Sequence, residues 1–273
     1  MSFFSSRNYN KLFIIILCCS SSISLLFGLF ILSLKQMEQV FHQTGYFFIF
    51  LSTILWIISL IPRSLKKINF LFFLKTHWHA LLLSFVFTFI MNLNYPPQFR
   101  ILADETNLAS IASSMYLNKD FYISLSGFNT YETYNNIHHV WGTRPLFFPF
   151  LISISHSLMG YNVENIFLFN FLFGFCSLFL IYFIIQLWLP YCFGLIGLIL
   201  LASYPIFAIS VTSAGFEILN LFFALLAYNF LYKYLNKQRA IDLERLSLTL
   251  ILLANIRYES IIFTICFIFI FIY

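Results

Sequence analysis

Charge is what this sequence has least of. Asp, Glu, Lys and Arg make up 9% of its 273 residues, against 61% hydrophobic residues and a mean hydropathy of +0.88. A water-soluble domain carries about 25% charged residues, so this balance excludes an ordinary soluble fold. Cysteine is scarce too. The five present, Cys18, Cys19, Cys176, Cys192 and Cys266, all fall in apolar stretches. None has metal-ligand spacing, and the adjacent Cys18 and Cys19 form no disulfide framework, so they read as packing residues. The chain also lacks a glycine-rich nucleotide loop, a P-loop, a GxSxG and an HExxH, which argues against an ATP-driven machine. The net charge of +5 is dispersed through short loops, where basic residues set membrane orientation, and does not point to nucleic acid.

Abundant instead are phenylalanine, at 38 residues, and apolar runs that reach the roughly 20 residues needed to cross a bilayer. The expected fold class is all-α: a polytopic helical membrane protein of about seven spans with external juxtamembrane helices. The spans are placed at 12–34, 46–61, 77–94, 166–188, 192–210, 217–234 and 247–273. The run after Arg7 and Lys11 is longer than a secretory signal core and has no convincing cleavage site, so it reads as a retained first span.

Basic residues orient these spans. Arg63, Lys66, Lys67 and Lys75 in 62–76, and Lys233, Lys237, Arg239 and Arg245 in 233–245, assign both loops to the cytoplasm. That assignment holds only if 145–160 does not cross. This short segment, with two prolines and Ser153, Ser155, His156 and Ser157, reads as an interfacial helix. The division expected is an N-terminal span hairpin and cytoplasmic loop, 1–76, then a core, 77–273, with an external loop at 95–165. Within that loop Leu108, Ile111, Ala112, Met115 and Tyr116 recur at helical spacing, as on an amphipathic helix lying along the membrane surface. Residues 123–144, rich in Ser, Asn, Thr, Tyr and Gly, read as loop.

Six charged residues stand out against this background. Asp104 and Glu105 begin the amphipathic helix. They read either as a helix cap with an acid complementing the dipole, or as a general base at the membrane face. Arg144, before Pro145, is either a snorkelling anchor or a phosphate clamp. Glu217 stands at the mouth of a span, as a solvated turn residue or as an acid of a polar cavity. Arg257 and Glu259 interrupt the last apolar run. Two residues apart, they do not face each other on a straight helix, so each has another partner or the helix breaks there. His77 and His79 bracket Trp78 at a span end, and His138–His139 lie in a polar loop; neither pair suits a metal site.

The stretches "DETNLASIASSMYLNKDFY", "TRPLFFPFLISISHSLMGYN", "TSAGFEILNLFFALLAYNFLYKYL" and "LANIRYES", taken in order, resemble the GT-C glycosyltransferases. The group most similar uses polyprenyl-phosphate sugars and includes protein O-mannosyltransferases, the lipid A aminoarabinose transferase and Rgt-type bacterial transferases. The resemblance spans about residues 80–270. Asp104–Glu105 match that family's external acid pair, Arg144–Pro145 its basic-Pro step, Glu217 its second acid, and Arg257–Glu259 its R-x-E. "SLMG" stands where Phe-Gly is common, and two spans rather than one precede the acid pair. The chain stops inside the apolar run "FIFIFIY", so a truncated or short form is expected.

The resemblance implies an integral-membrane glycosyltransferase. Its donor would be a polyprenyl (or dolichyl) phosphate-sugar, and its acceptor a hydroxyl on a glycan, lipid or protein. Asp104, with Glu105, would act as base; Arg144 and Arg257 would hold the phosphate, and Glu217 and Glu259 would line the substrate site. No cofactor is indicated, and help from a divalent metal is left open. The membrane is a bacterial inner membrane or, alternatively, that of the endoplasmic reticulum. The rival readings are a lipid-linked-sugar flippase or transporter, and an inactive fragment.

Overall fold

A computed structural model describes residues 33–61, 70–130 and 133–272. The expected first span, up to residue 32, and the basic residues Arg63, Lys66 and Lys67 lie outside them. In an apolar medium only hydrogen bonds within a helix satisfy a lone backbone segment. The long apolar runs accordingly form helices: α1 Leu34–Leu60, α2 Phe70–Asn94, α3 Leu102–Asn118, α4 Phe147–Met159, α5 Glu164–Gln186, α6 Tyr191–Ala202, α7 Pro205–Val211, α8 Glu217–Lys237, α9 Ala240–Ala254 and α10 Ile261–Ile272. A 3₁₀ turn, Tyr258–Ser260, precedes α10, and strands β1 Tyr122–Thr130 and β2 Thr133–Trp141 form one hairpin.

Among the described residues, Lys75–Asn94, Glu164–Gln186 and Glu217–Lys237 are long and apolar enough to cross a membrane. The expected span 192–210 is instead two helices, α6 and α7, bent by 72°, which are long and apolar enough together for a broken span or a re-entrant loop. Pro205 explains the bend. It opens α7 at a position where its missing N–H costs nothing, while Tyr204 before it is forced into extended backbone at φ −78° and ψ 117°. The expected span 247–273 also divides, with α9 ending at Ala254 and Arg257 extended at φ −149° and ψ 130°. Segment 145–160 yields the 13-residue α4, which at 1.5 Å per residue is about 20 Å long and too short to cross.

The expected loop at 123–144 is corrected to an antiparallel hairpin, with Tyr122 opposite Trp141 and a bulge between Ser124 and Gly127. Its Ser, Asn and Gly content masks a set of strand-favouring residues, Tyr122, Ile123, Phe128, Tyr134, Ile137, Val140 and Trp141. The hairpin closes at Gly142, whose N–H donates to Phe121 O at 3.1 Å. A Cβ at Gly142 would stand 2.7 Å from that oxygen and 2.8 Å from Ile111 Cδ1, so the close approach requires glycine.

Two apolar cores result. One gathers Leu108, Ile111 and Met115 of α3, Phe147, Phe148 and Phe150 of α4, Phe223 of α8, and Leu252 and Leu253 of α9. The predicted apolar face of α3 is real, but it is buried in this core against α4 rather than left open. Trp56 of α1 packs on Phe223 and donates through Nε1 to Thr249 Oγ1 at 3.0 Å, tying α1 to α9. The second core joins Ala80 and Met91 of α2, Leu178 and Tyr182 of α5, Leu198 of α6 and Val211 of α7. Helix α5 packs on both α6 and α8 and so links the two.

At the end of α4, His156 is buried between Tyr116 and Tyr161. Asn165 Nδ2 lies 3.0 Å from His156 Nδ1 and also donates to Gly160 O at 2.8 Å. Because the amide nitrogen can only donate, Nδ1 accepts and the imidazole proton sits on Nε2. Burial holds His156 below its ordinary pKa of 6.5.

Two predictions follow from this packing. A Cβ at Gly174 of α5 would meet Val211 Cγ2 at 2.7 Å, so Gly174→Leu should cost about 1–3 kcal/mol, read as a lower thermal midpoint in detergent. The depressed His156 pKa means that the unfolded chain binds more protons. Its contribution to stability is therefore complete above about pH 6.5 and falls as pH drops through the lower folded pKa. Thermal midpoints measured between pH 7.5 and 5 should fall more steeply for the native chain than for His156→Gln.

Candidate active site

The first turn of α3 carries both acids of the pair, Asp104 and Glu105. The helix starts at Leu102 behind Ile101, which makes no side-chain cap, so Asp104 is not the capping residue. Its carboxylate instead pairs with Arg144 Nη2, 40 residues away. Glu105, 3% exposed, turns back and accepts from Arg100 N–H at 2.8 Å through Oε2. Neighbouring acids thus have opposite surroundings. Asp104 is 38% exposed and paired with a cation, whereas Glu105 is buried and bonded to a backbone N–H.

Arg144 stands just ahead of α4, and the segment carrying it lies beside the break after α9. Phe147 N–H donates to Asn255 O at 3.0 Å, and Tyr258 Oη donates to Thr143 O at 2.8 Å. In that break Arg257 Nε pairs with Glu259 Oε2 at 3.1 Å. The open alternative for this pair resolves as a broken helix, since a turn lets residues two apart meet where a straight helix would part them. Hydrogen bonds from its own backbone N–H and from Arg257 hold the Glu259 carboxyl below the usual carboxylate range, and Arg144 adds to the effect. The Arg257 guanidinium also lies 5.9 Å from the Phe216 ring centroid. Glu217, half-buried at the first position of α8, directly follows Phe216, whose ring the Arg257 guanidinium faces.

All six candidate residues therefore gather at one place, where the starts of α3, α4 and α8 meet the break after α9. Asp104 with Arg144 is a half-exposed pair and Arg257 with Glu259 an exposed one, and ion pairs open to solvent add little to folding. Stability thus gives little reason for two guanidinium forks in so apolar a chain. Forks of this kind match the oxygens of a phosphate. Among the described residues no three His, Cys, Asp or Glu side chains are grouped to hold a metal ion.

Residues 143–273, a little under half of the chain, match the family model for dolichyl-phosphate-mannose-protein mannosyltransferase. The match supports a GT-C glycosyltransferase of mannosyltransferase-like type. No curated protein and no solved structure matches the chain. The matched segment begins one residue before Arg144 and includes Glu217, Arg257 and Glu259, while Asp104 and Glu105 precede it. The acid pair joins the matched segment through its contacts, above all the Asp104–Arg144 pair.

Arg100 and Thr212 complete the arrangement and were missed in the sequence. Arg100 Nη2 donates to Thr212 Oγ1 at 2.8 Å, and Gln98 N–H donates to Thr212 O at 3.2 Å. The signal for Arg100 was present, as a lone base four residues ahead of Asp104 after a Pro-Pro step, but its partner lies 112 residues away. Thr212→Val should leave the guanidinium short of an acceptor. A cost of about 1–3 kcal/mol is expected, seen as a lower thermal midpoint, with Thr212→Ser close to the native value.

Proposed function

We propose that this chain transfers a sugar, mannose or a relative, from polyprenyl (or dolichyl) phosphate to an acceptor hydroxyl on a glycan, lipid or protein. The reaction would take place at the external face of a bacterial inner membrane or the equivalent face of the endoplasmic reticulum. The observation that carries this reading is the Asp104–Arg144 pair. It sets a half-exposed carboxylate against a guanidinium that belongs to the segment matching the mannosyltransferase family.

The chemistry follows from what each group can do. Asp104 accepts the proton of the acceptor hydroxyl as that oxygen attacks the anomeric carbon, and the bond from that carbon to the phosphate oxygen breaks. The configuration of the sugar carbon inverts, and the lipid phosphate leaves with an added negative charge. Arg144 and Arg257 offset that charge from fixed positions, which is where preorganised electrostatics lowers a barrier. An arriving donor phosphate competes with Asp104 for the Arg144 fork and so leaves the carboxylate free to take a proton. Glu105, bonded to the Arg100 backbone N–H, holds the turn that presents Asp104. Glu217 and Glu259 face the sugar side of the site.

The test is sugar transfer from a labelled polyprenyl-phosphate mannose in membranes containing the chain. Asp104→Asn should lower turnover by about 10²–10⁴-fold at normal expression, and unchanged turnover would remove Asp104 as the base. Arg144→Lys keeps the charge but loses the fork, and should raise the KM for the donor. Movement of the labelled lipid across the bilayer without transfer would favour a transporter instead.

A further inference from the structure

Helix α5 carries an asparagine that the site above does not use. Asn170 is 0% exposed, and its Nδ2 donates to two backbone carbonyls at once, Ser213 O and Gly215 O, each at 2.8 Å. Both carbonyls belong to the turn between α7 and α8, residues 212–216, immediately before Glu217. Turning the amide over would aim its oxygen at two acceptors, so the orientation is fixed by the contacts. Asn170 Oδ1 is then left buried without a hydrogen-bond partner. A buried amide that satisfies two carbonyls while leaving its own oxygen unbonded holds the turn in one shape at its own expense.

The turn reaches into the site from both of its ends. On one side, Glu217 folds back over Gly215, where a Cβ would collide with Glu217 Oε2. On the other side, Thr212 accepts from Arg100 through its side chain and from Gln98 through its carbonyl, and Arg100 N–H holds Glu105. One side chain on a spanning helix thus fixes a turn that sets an acid of the site directly and the acid pair of α3 through Arg100.

We propose that Asn170 is a positioning residue for sugar transfer, setting the Glu217 carboxylate and the Arg100–Glu105 contact through the turn at 212–216. The inference rests on the reading of Glu217 as part of the sugar-transfer site. Loss of the clamp leaves the charges of the site in place but moves them, so it acts on turnover more than on donor capture. A misplacement of about 1 Å can cost about 10²-fold in rate.

The experiment uses the full chain in lipid nanodiscs, with labelled polyprenyl-phosphate mannose as probe and membrane extract as acceptor source. Hydrogen exchange over 210–218 is followed alongside. Asn170→Ala removes both bonds without burying a charge. It should speed exchange in the turn and lower kcat by about 10–10²-fold, while KM for the donor stays within about twofold. Gly215→Ala reaches the same carboxylate by another route. Its methyl displaces the end of the Glu217 side chain and should reproduce the kcat loss, even if Asn170→Ala yields no folded protein. Unchanged exchange in Asn170→Ala overturns the clamp. Faster exchange with native kcat overturns the positioning role, and so does native kcat in Gly215→Ala. A native chain that transfers neither mannose nor another hexose or pentose from labelled polyprenyl-phosphate sugars overturns the glycosyltransferase reading itself, and that failure shows before any variant is made.

Discussion

A helix that breaks inside an apolar body frees amides and carbonyls that have no water to turn to, and each must find a partner within the protein. Most of this molecule's functional geometry follows from that constraint. The break between α7 and α8 takes donors from Gln98 and Asn170; the break after α9 takes one from Phe147, across to Asn255. Each repair pulls a distant segment to the same spot. The charged side chains arrive with those segments, and repair of the broken helices is thus also assembly of the site.

The site so built has two electrostatic layers. The inner one is enclosed: Glu105 against the Arg100 backbone, Arg100 against Thr212, and Asn170 against the turn. Buried and half-buried hydrogen bonds of this sort hold positions because losing one partner strands the other. The outer layer consists of the solvent-open pairs Asp104–Arg144 and Arg257–Glu259, which are weak as fold contacts. A buried layer beneath two weak pairs is the arrangement that the proposed arrival of one phosphate and departure of another calls for.

Much of this was legible in the sequence, for a definite reason. In so apolar a chain each charge is costly enough to be conspicuous, and Asp104, Glu105, Arg144, Glu217, Arg257 and Glu259 could be singled out one at a time. Their convergence follows from long-range contacts that no local pattern carries. The helix periodicity of α3 named the correct buried face, Leu108, Ile111, Ala112 and Met115, but not what would cover it. Two local readings failed to local causes. Pro205 bends a run that hydropathy reads as one continuous helix. The hairpin was hidden because Ser and Asn between strand-formers look like loop composition. The break at Asn255–Arg257, by contrast, is one of the two alternatives that the spacing of Arg257 and Glu259 left open. Asn170 escaped notice because a single amide in an apolar helix declares itself only through the carbonyls it faces.

The hairpin has one more consequence, which concerns length. It leaves the body after α3 and returns just before Arg144, with Gly142 bonded to Phe121 O at its base. The spacing between Asp104 and Arg144 is therefore held at the base and by the start of β1, where Ser124 N–H donates to Ser110 Oγ of α3. Length added or removed in the strand halves beyond Gly127 leaves those contacts, and the gap across which the two charges meet, in place. The molecule thus keeps a region of free length next to one of fixed length, and variation among related chains has somewhere to accumulate without touching the chemistry.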